Sequence, residues 1–268
     1  MGEGRGHNPL KLVPLGPIVR SGGTAMSLLR RLVALLVLIA VWEVPVGAGD
    51  TPAAALERLK AGNARFVKNA ASALPIDEAR RQAQVEGQSP FAIVLSCADS
   101  RVPPEVVFNA GLGELFVVRT AGGVTDKAVL ASIEYAAEHL EASLLVVMGH
   151  ESCGAVKTAV ETKPGSPSMG PNLDALVAAI RPSFDRMAAS ADLAHLREAI
   201  LANVEQEVND VLSRSAIVRR LVTEGELQVM GAYYEFSTGL VRFSEPVTLR
   251  GEPSGKGGVA EKHGRVSR

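Results

Sequence analysis

A chain of 268 residues with 47% hydrophobic content is long enough to bury the core of one full domain. Its formal net charge of -1 gives no global electrostatic reason to bind nucleic acid, and no basic run of five or more residues is present. Nucleic acid is therefore excluded as an expected partner.

Residues 1–25 are rich in Gly and Pro and show no hydrophobic period. From Met26 the pattern changes to Arg30 and Arg31, the apolar run Leu32–Trp42, and the small-residue close Val46-Gly47-Ala48. That is the layout of a secretory signal peptide over 26–48, with cleavage after Ala48 and Met26 as the start of translation. The apolar run is shorter than the ~20 residues a helix needs to cross a bilayer. The expectation is an exported protein, periplasmic or secreted, with no stable membrane span once the signal is removed. Residues 1–48 then form an extension plus signal and 49–249 the folded domain. Residues 250–268, with Gly, Lys and Ser and almost no large apolar side chains, read as a disordered tail.

Within the domain, residues 52–70 carry Ala55, Leu56, Leu59 and Phe66 on a helical period, yet no sheet of their own to cover is evident. A second, polar helix spans about 77–86. Three apolar runs follow at 91–96, 115–119 and 143–148, rich in Val and Leu without alternation, as strands buried on both faces should be. The amphipathic stretch 126–140 between the second and third completes a βαβ crossover, which implies a parallel sheet. A short helix begins at Gly154, and the loop 163–171 leads to helices at about 172–188 and 193–224. Two closing strands, 227–234 and 240–244, flank a hairpin turn at Ser237-Thr238-Gly239. The fold class expected is α/β: a central, mostly parallel sheet flanked by helices, with an N-terminal helical arm and a C-terminal antiparallel hairpin strand.

The chain has only two cysteines, Cys97 and Cys153. In an oxidising compartment a pair most often forms a disulfide. Their surroundings point elsewhere. Cys97-Ala98-Asp99-Ser100-Arg101 directly follows the first strand, and Gly149-His150-Glu151-Ser152-Cys153-Gly154 directly follows the third. Parallel strands end on one edge, where ligand sites of such sheets form. Both motifs are thereby delivered to one place. Two thiolates and an imidazole suit Zn²⁺, and three protein ligands leave a fourth position open, as in catalytic zinc sites. No third cysteine is available to close it. Arg101 would offset the negative charge that two thiolates and an anion leave on the centre.

These two motifs together resemble the signature of the β-class carbonic anhydrases. The resemblance covers about 52–245 and includes Pro103-Pro104-Glu105, Gly113–Arg119, Gly231-Ala232-Tyr233-Tyr234 and Thr238-Gly239. It implies one Zn²⁺ per subunit on Cys97, His150 and Cys153, and reversible hydration of carbon dioxide to bicarbonate by zinc-bound hydroxide. Asp99 would orient the nucleophile and Arg101 would clamp Asp99. In closed members of the family the equivalent Asp becomes a fourth metal ligand. Gln88 matches a pocket glutamine of members whose site stays open, so an open site is expected here. Phe116, Tyr135 and Gly154 would line the substrate pocket, and His139, one helical turn after Tyr135, matches a proton-relay position. Thr120 and Gly123 depart from the family, standing where asparagines are common. The resemblance also implies a homodimer or higher even oligomer, with the N-terminal helix packed across a partner. Two other functions stay open from sequence: a related zinc hydrolase acting on carbonyl sulfide or carbon disulfide, and a non-catalytic zinc- or bicarbonate-binding protein. His7, His195 and His263 have no role in this reading.

Overall fold

A computed structural model describes residues 50–69, 74, 76–184 and 195–249, all within one compact unit. The expected extension and signal at 1–48 and the tail at 250–268 lie outside the described residues. Among the described residues, no helix is long and apolar enough to cross a membrane.

Among the described residues the strands are β1 (Ala92–Cys97), β2 (Leu115–Thr120), β3 (Leu144–His150), β4 (Gln228–Tyr234) and β5 (Val241–Phe243). They form one sheet of order β2-β1-β3-β4-β5. The first four are parallel and β5 runs antiparallel to β4, as expected for a tight hairpin return. The expected strands are all present, with ends shifted by one or two residues. The shift has one useful consequence: Cys97 and His150 are the last residues of β1 and β3. Strand hydrogen bonding, not a loop, sets their backbones.

Every residue of β1 is buried because both sheet faces are covered. Ile93, Leu95, Leu145, Val147 and Val229 point to one face and pack under α4 (Lys127–His139), α7 (Leu196–Arg214) and α8 (Ala216–Glu224). The alternate residues Ala92, Val94, Leu144, Val146 and Met230 meet α1 (Pro52–Val67) and α3 (Pro104–Val107) on the other. The polar helix α2 (Glu78–Ala83) buries none of its residues. Near the carboxyl edge α7 sits unusually close to the sheet. A Cβ on Gly149 would lie 2.6 Å from Val204 Cγ2, and one on Gly231 2.8 Å from Val204 Cγ1.

Three expectations are corrected. The N-terminal helix does cover a surface of its own chain: Ala55 and Leu59 are fully buried in the core cluster with Val107 and Phe108. Asn63 locks it there, donating through Nδ2 to Val107 O and Gly239 O and accepting at Oδ1 from Val241 N. The helix read as 193–224 is two helices. Ser215 breaks it with extended backbone (φ -107, ψ 113), caps α8 by accepting from Val218 N, and donates through Oγ to Glu134 Oε1. The helix read as 172–188 is α6 (Pro171–Ile180) followed by a 3₁₀ turn, Arg181–Ser183, with 185–194 outside the described residues.

Candidate metal centre

The carboxyl ends of β1 and β3 are neighbours in the sheet, so Cys97 and His150 are brought side by side. Beyond His150 the chain reverses through Glu151 and Ser152, the latter in a left-handed conformation (φ 54), with Glu151 N–H held by Tyr234 O. The reversal delivers Cys153 to the N-cap of α5 (Gly154–Glu161), where the Ala155 and Val156 N–H groups face its sulfur and favour its thiolate. The metal-binding atoms of Cys97, His150 and Cys153 all lie within 4.8 Å of one another, and all three residues are buried. Val156, Ala159, Ile180, Ile200 and Tyr233 pack in the same apolar cluster as the two cysteines.

Both cysteines are free. Their sulfurs are 4.0 Å apart, roughly twice the ~2.05 Å of a disulfide. The spacing instead approaches the ~3.8 Å that two sulfurs adopt on a tetrahedral zinc with bonds of ~2.3 Å. His150 is fully buried, its Nδ1 is 2.9 Å from Glu151 O, and its Nε2 has no hydrogen-bond partner among the described residues. The carbonyl fixes the proton on Nδ1 and leaves the Nε2 lone pair available, which is the usual preparation of a metal-ligating histidine. The Cys97 thiol is drawn well below its ordinary range. The facing Cys153 sulfur is the main cause, His150 and the backbone N–H groups of Asp99 and Gly122 add to it, and burial opposes it. Cys153 is pushed upward, first by Cys97 and then by burial. A dication between the two sulfurs would favour the thiolate form of both. The donor set fits zinc.

Asp99 lies on the open side, with Oδ2 4.0 Å from His150 Nε2. Arg101 grips it through a two-pronged pair, Nε to Oδ1 at 2.9 Å and Nη2 to Oδ2 at 2.7 Å, and its backbone N–H also donates to Oδ1. Arg101 therefore holds the Asp99 carboxyl well below the usual carboxylate range. Gly154 opens α5 beside the ligands, and a Cβ there would meet nothing within 4 Å.

The other expected pocket residues are not brought to the metal cluster of the same chain. Phe116 pairs with Ile93, four residues before Cys97, which places it about 13 Å back along the strand at ~3.3 Å per residue. Tyr135 stacks near Phe116 (6.4 Å between centroids) and His139 near Tyr135 (5.4 Å), so this trio sits toward the amino end of the sheet. Gln88 precedes β1 and lines a surface depression with Gln84, Glu105 and Leu115.

Three contributors were missed from sequence. Arg119 donates to Cys97 O (3.0 Å) and Asp99 O (2.6 Å), pinning the turn that carries both residues. Gly122 N–H donates to Cys97 Sγ at 3.3 Å. Phe236 forms the apolar wall of the centre, with its ring 5.4 Å from His150 and 4.5 Å from the Arg101 guanidinium. A phenylalanine inside a polar hairpin turn is a signal that could have found it.

A sequence profile described as carbonic anhydrase matches residues 92–241. The chain is 37% identical over 188 residues to carbonic anhydrase 2 of Mycobacterium tuberculosis, covering 70% of this chain and 90% of that one. The structure resembles a β-carbonic anhydrase from Coccomyxa solved with acetazolamide, at 30% identity and TM-score 0.57, covering 72% of this chain and 88% of that one. It also resembles tetrameric β-carbonic anhydrases from Sordaria macrospora, at 25% identity and TM-score 0.56, covering 63% and 87%. With its two cysteines and one histidine gathered as a zinc site on this sheet, the chain belongs to the β-carbonic anhydrase family.

Proposed function

We propose that the chain catalyses the reversible hydration of carbon dioxide to bicarbonate and a proton at the centre held by Cys97, His150 and Cys153. The carrying observation is the buried His150 Nε2, without a hydrogen-bond partner among the described residues, gathered with two unbonded sulfurs within 4.8 Å. A zinc ion on these atoms supplies a Lewis acid that brings the ionisation of water to near pH 7. Carbonic anhydrase is itself a standard case of that effect. Asp99 Oδ2, on the open side, accepts a hydrogen bond from the attacking water and directs it toward the carbon. Arg101 fixes that carboxylate and keeps it ionised, so Asp99 accepts and does not donate. With both Asp99 oxygens engaged by Arg101, a metal on the three ligands would keep a position for water, as in the open form of the family. Phe236 packs against the His150 ring and the Arg101 guanidinium and so helps to hold both in place. Stopped-flow hydration of carbon dioxide should fall to background on zinc chelation and return on zinc addition. Turnover of carbonyl sulfide or carbon disulfide in preference to carbon dioxide would favour the related hydrolase, and metal binding without any turnover would favour a binding protein. The intact Asp99–Arg101 pair disfavours the latter.

A second copy of the chain supplies the remaining pocket residues in this reading. Gln88, Phe116, Tyr135 and His139 lie away from the metal of their own subunit, and Tyr135 is 48% exposed in the isolated chain. Exposed Ile76, Val85 and Leu112 lie on or beside the segment bearing Gln88, an apolar surface suited to burial between subunits. Sedimentation should give a dimer or higher even oligomer, and Tyr135→Asp should lower assembly and activity together. A fully active monomer would contradict it.

We further propose export, with residues 26–48 removed as a signal peptide. The basic pair, short apolar run and Val-Gly-Ala close support it. Mass spectrometry of the exported protein should give a mature N-terminus at Gly49; one upstream of Met26 would refute it.

A further inference from the structure

Helix α7 passes behind the metal centre without supplying a ligand, yet two of its polar side chains are buried one helical turn apart. Asn203 is 3% exposed and Glu207 1%. Both face the turn Ala121–Thr125. Asn203 Nδ2 donates to Gly122 O at 2.8 Å, and Glu207 Oε2 accepts from Thr125 N and Thr125 Oγ1, each at 2.8 Å. Between these two anchors Thr120 Oγ1 donates to Val124 O, closing the turn.

Among the described residues, the turn reaches a ligand atom through one hydrogen bond, from Gly122 N–H to Cys97 Sγ. Gly122 is left-handed (φ 71, ψ 0), a conformation that L side chains rarely adopt, and its direction is set by what holds it. Asn203 holds the carbonyl of the same residue. Burying this amide is costly, because its Oδ1 has no partner among the described residues and only Nδ2 is used. That single bond is thus what the buried asparagine contributes.

We propose that Asn203 is a positioning residue for the metal centre: by gripping the Gly122 carbonyl it aims the Gly122 N–H at the Cys97 sulfur. An N–H donor withdraws charge from a thiolate, so less is given to the metal and its Lewis acidity rises. Partners of this kind, one shell outside the ligands, are typically worth 10–100-fold in metal affinity or activity. The inference rests on the three-residue metal site proposed above.

The test uses the full chain with cobalt or ¹¹³Cd in place of zinc. In Asn203→Ala the sulfur-to-cobalt charge-transfer band should move to lower energy, because the thiolate becomes more electron-rich. Chelator competition should also read a zinc Kd shifted from the wild-type value by about 10-fold. Asn203→Leu has nearly the same size but cannot donate, and should move the band the same way. A residue that only filled space would leave it unmoved. Folded variants with wild-type band and affinity would overturn the inference alone. Wild type that takes up no cobalt would overturn the metal reading and this inference with it. Where neither variant folds, wild type decides: a ¹¹³Cd coupling to the Gly122 amide proton supports the bond, and its absence refutes it.

Discussion

Replacing Cys97 with serine should strip the protein of zinc and of carbon dioxide hydration together. The hydroxyl is a poor ligand beside a thiolate, because zinc's preferred protein donors are Cys sulfur and His nitrogen. The loss should exceed the 10–100-fold typical of residues outside the ligand set. Folding should survive better than activity. Cys97 ends a fully buried strand whose pairing with β2 and β3 does not depend on its sulfur, and serine fits the same volume. Zinc content by mass spectrometry, circular dichroism and stopped-flow hydration on one sample separate the two effects. A serine variant that keeps stoichiometric zinc and full turnover would show that the sulfur is not a ligand.

The second large effect concerns Asp99 and Arg101. Asp99→Asn keeps the shape but loses the charge, and should lower hydration by about 10²–10³-fold, the range for losing one positioned hydrogen-bonding group at the reacting atoms. Zinc should stay bound. Arg101→Lys should not rescue Arg101→Ala, because a lysine ammonium cannot reproduce the fork that reaches both carboxylate oxygens. The pH dependence has a definite sign. Asp99 is depressed in the folded protein, so the pair's contribution to stability is present above the unfolded value of ~3.9. It is lost only as pH falls through the lower folded value. In Arg101→Ala that carboxyl returns toward the ordinary range. Bicarbonate dehydration should then acquire an acid limb near pH 4 that wild type lacks. Arg101 is half exposed, so the change in stability itself should be small.

The ligand trio was legible from sequence for a simple reason. Cys97 and His150 stand at the ends of Val- and Leu-rich runs that can only be parallel interior strands, and Cys153 follows His150 by one short reversal. The Asp99–Arg101 pair is equally local. What was not legible depends on which elements meet across the sheet. Arg119 is a strand residue like its neighbours until β2 is laid beside β1 and its guanidinium reaches the Cys97 carbonyl. Asn203 sits in the middle of a long helix, and only the close approach of α7 at Gly149 and Gly231 turns it toward the centre. Ser215 was overlooked as a break because the apolar period continues through it. Its cap geometry, with Glu134 on α4 accepting from its hydroxyl, is tertiary. Phe116, Tyr135 and His139 were read as pocket and proton-relay residues, and the fold brings them to one another but away from the metal ligands of their own chain. One strand's register separates Phe116 from Cys97, a distance no motif records.

The measurement that bears most directly on the centre is zinc K-edge X-ray absorption on the purified protein near pH 8. Two sulfur scatterers at ~2.3 Å and two nitrogen or oxygen scatterers at ~2.0–2.1 Å are expected, one from His150 and one from water. A zinc signal with no sulfur in its shell, or active protein whose two cysteines are oxidised to each other, would contradict it.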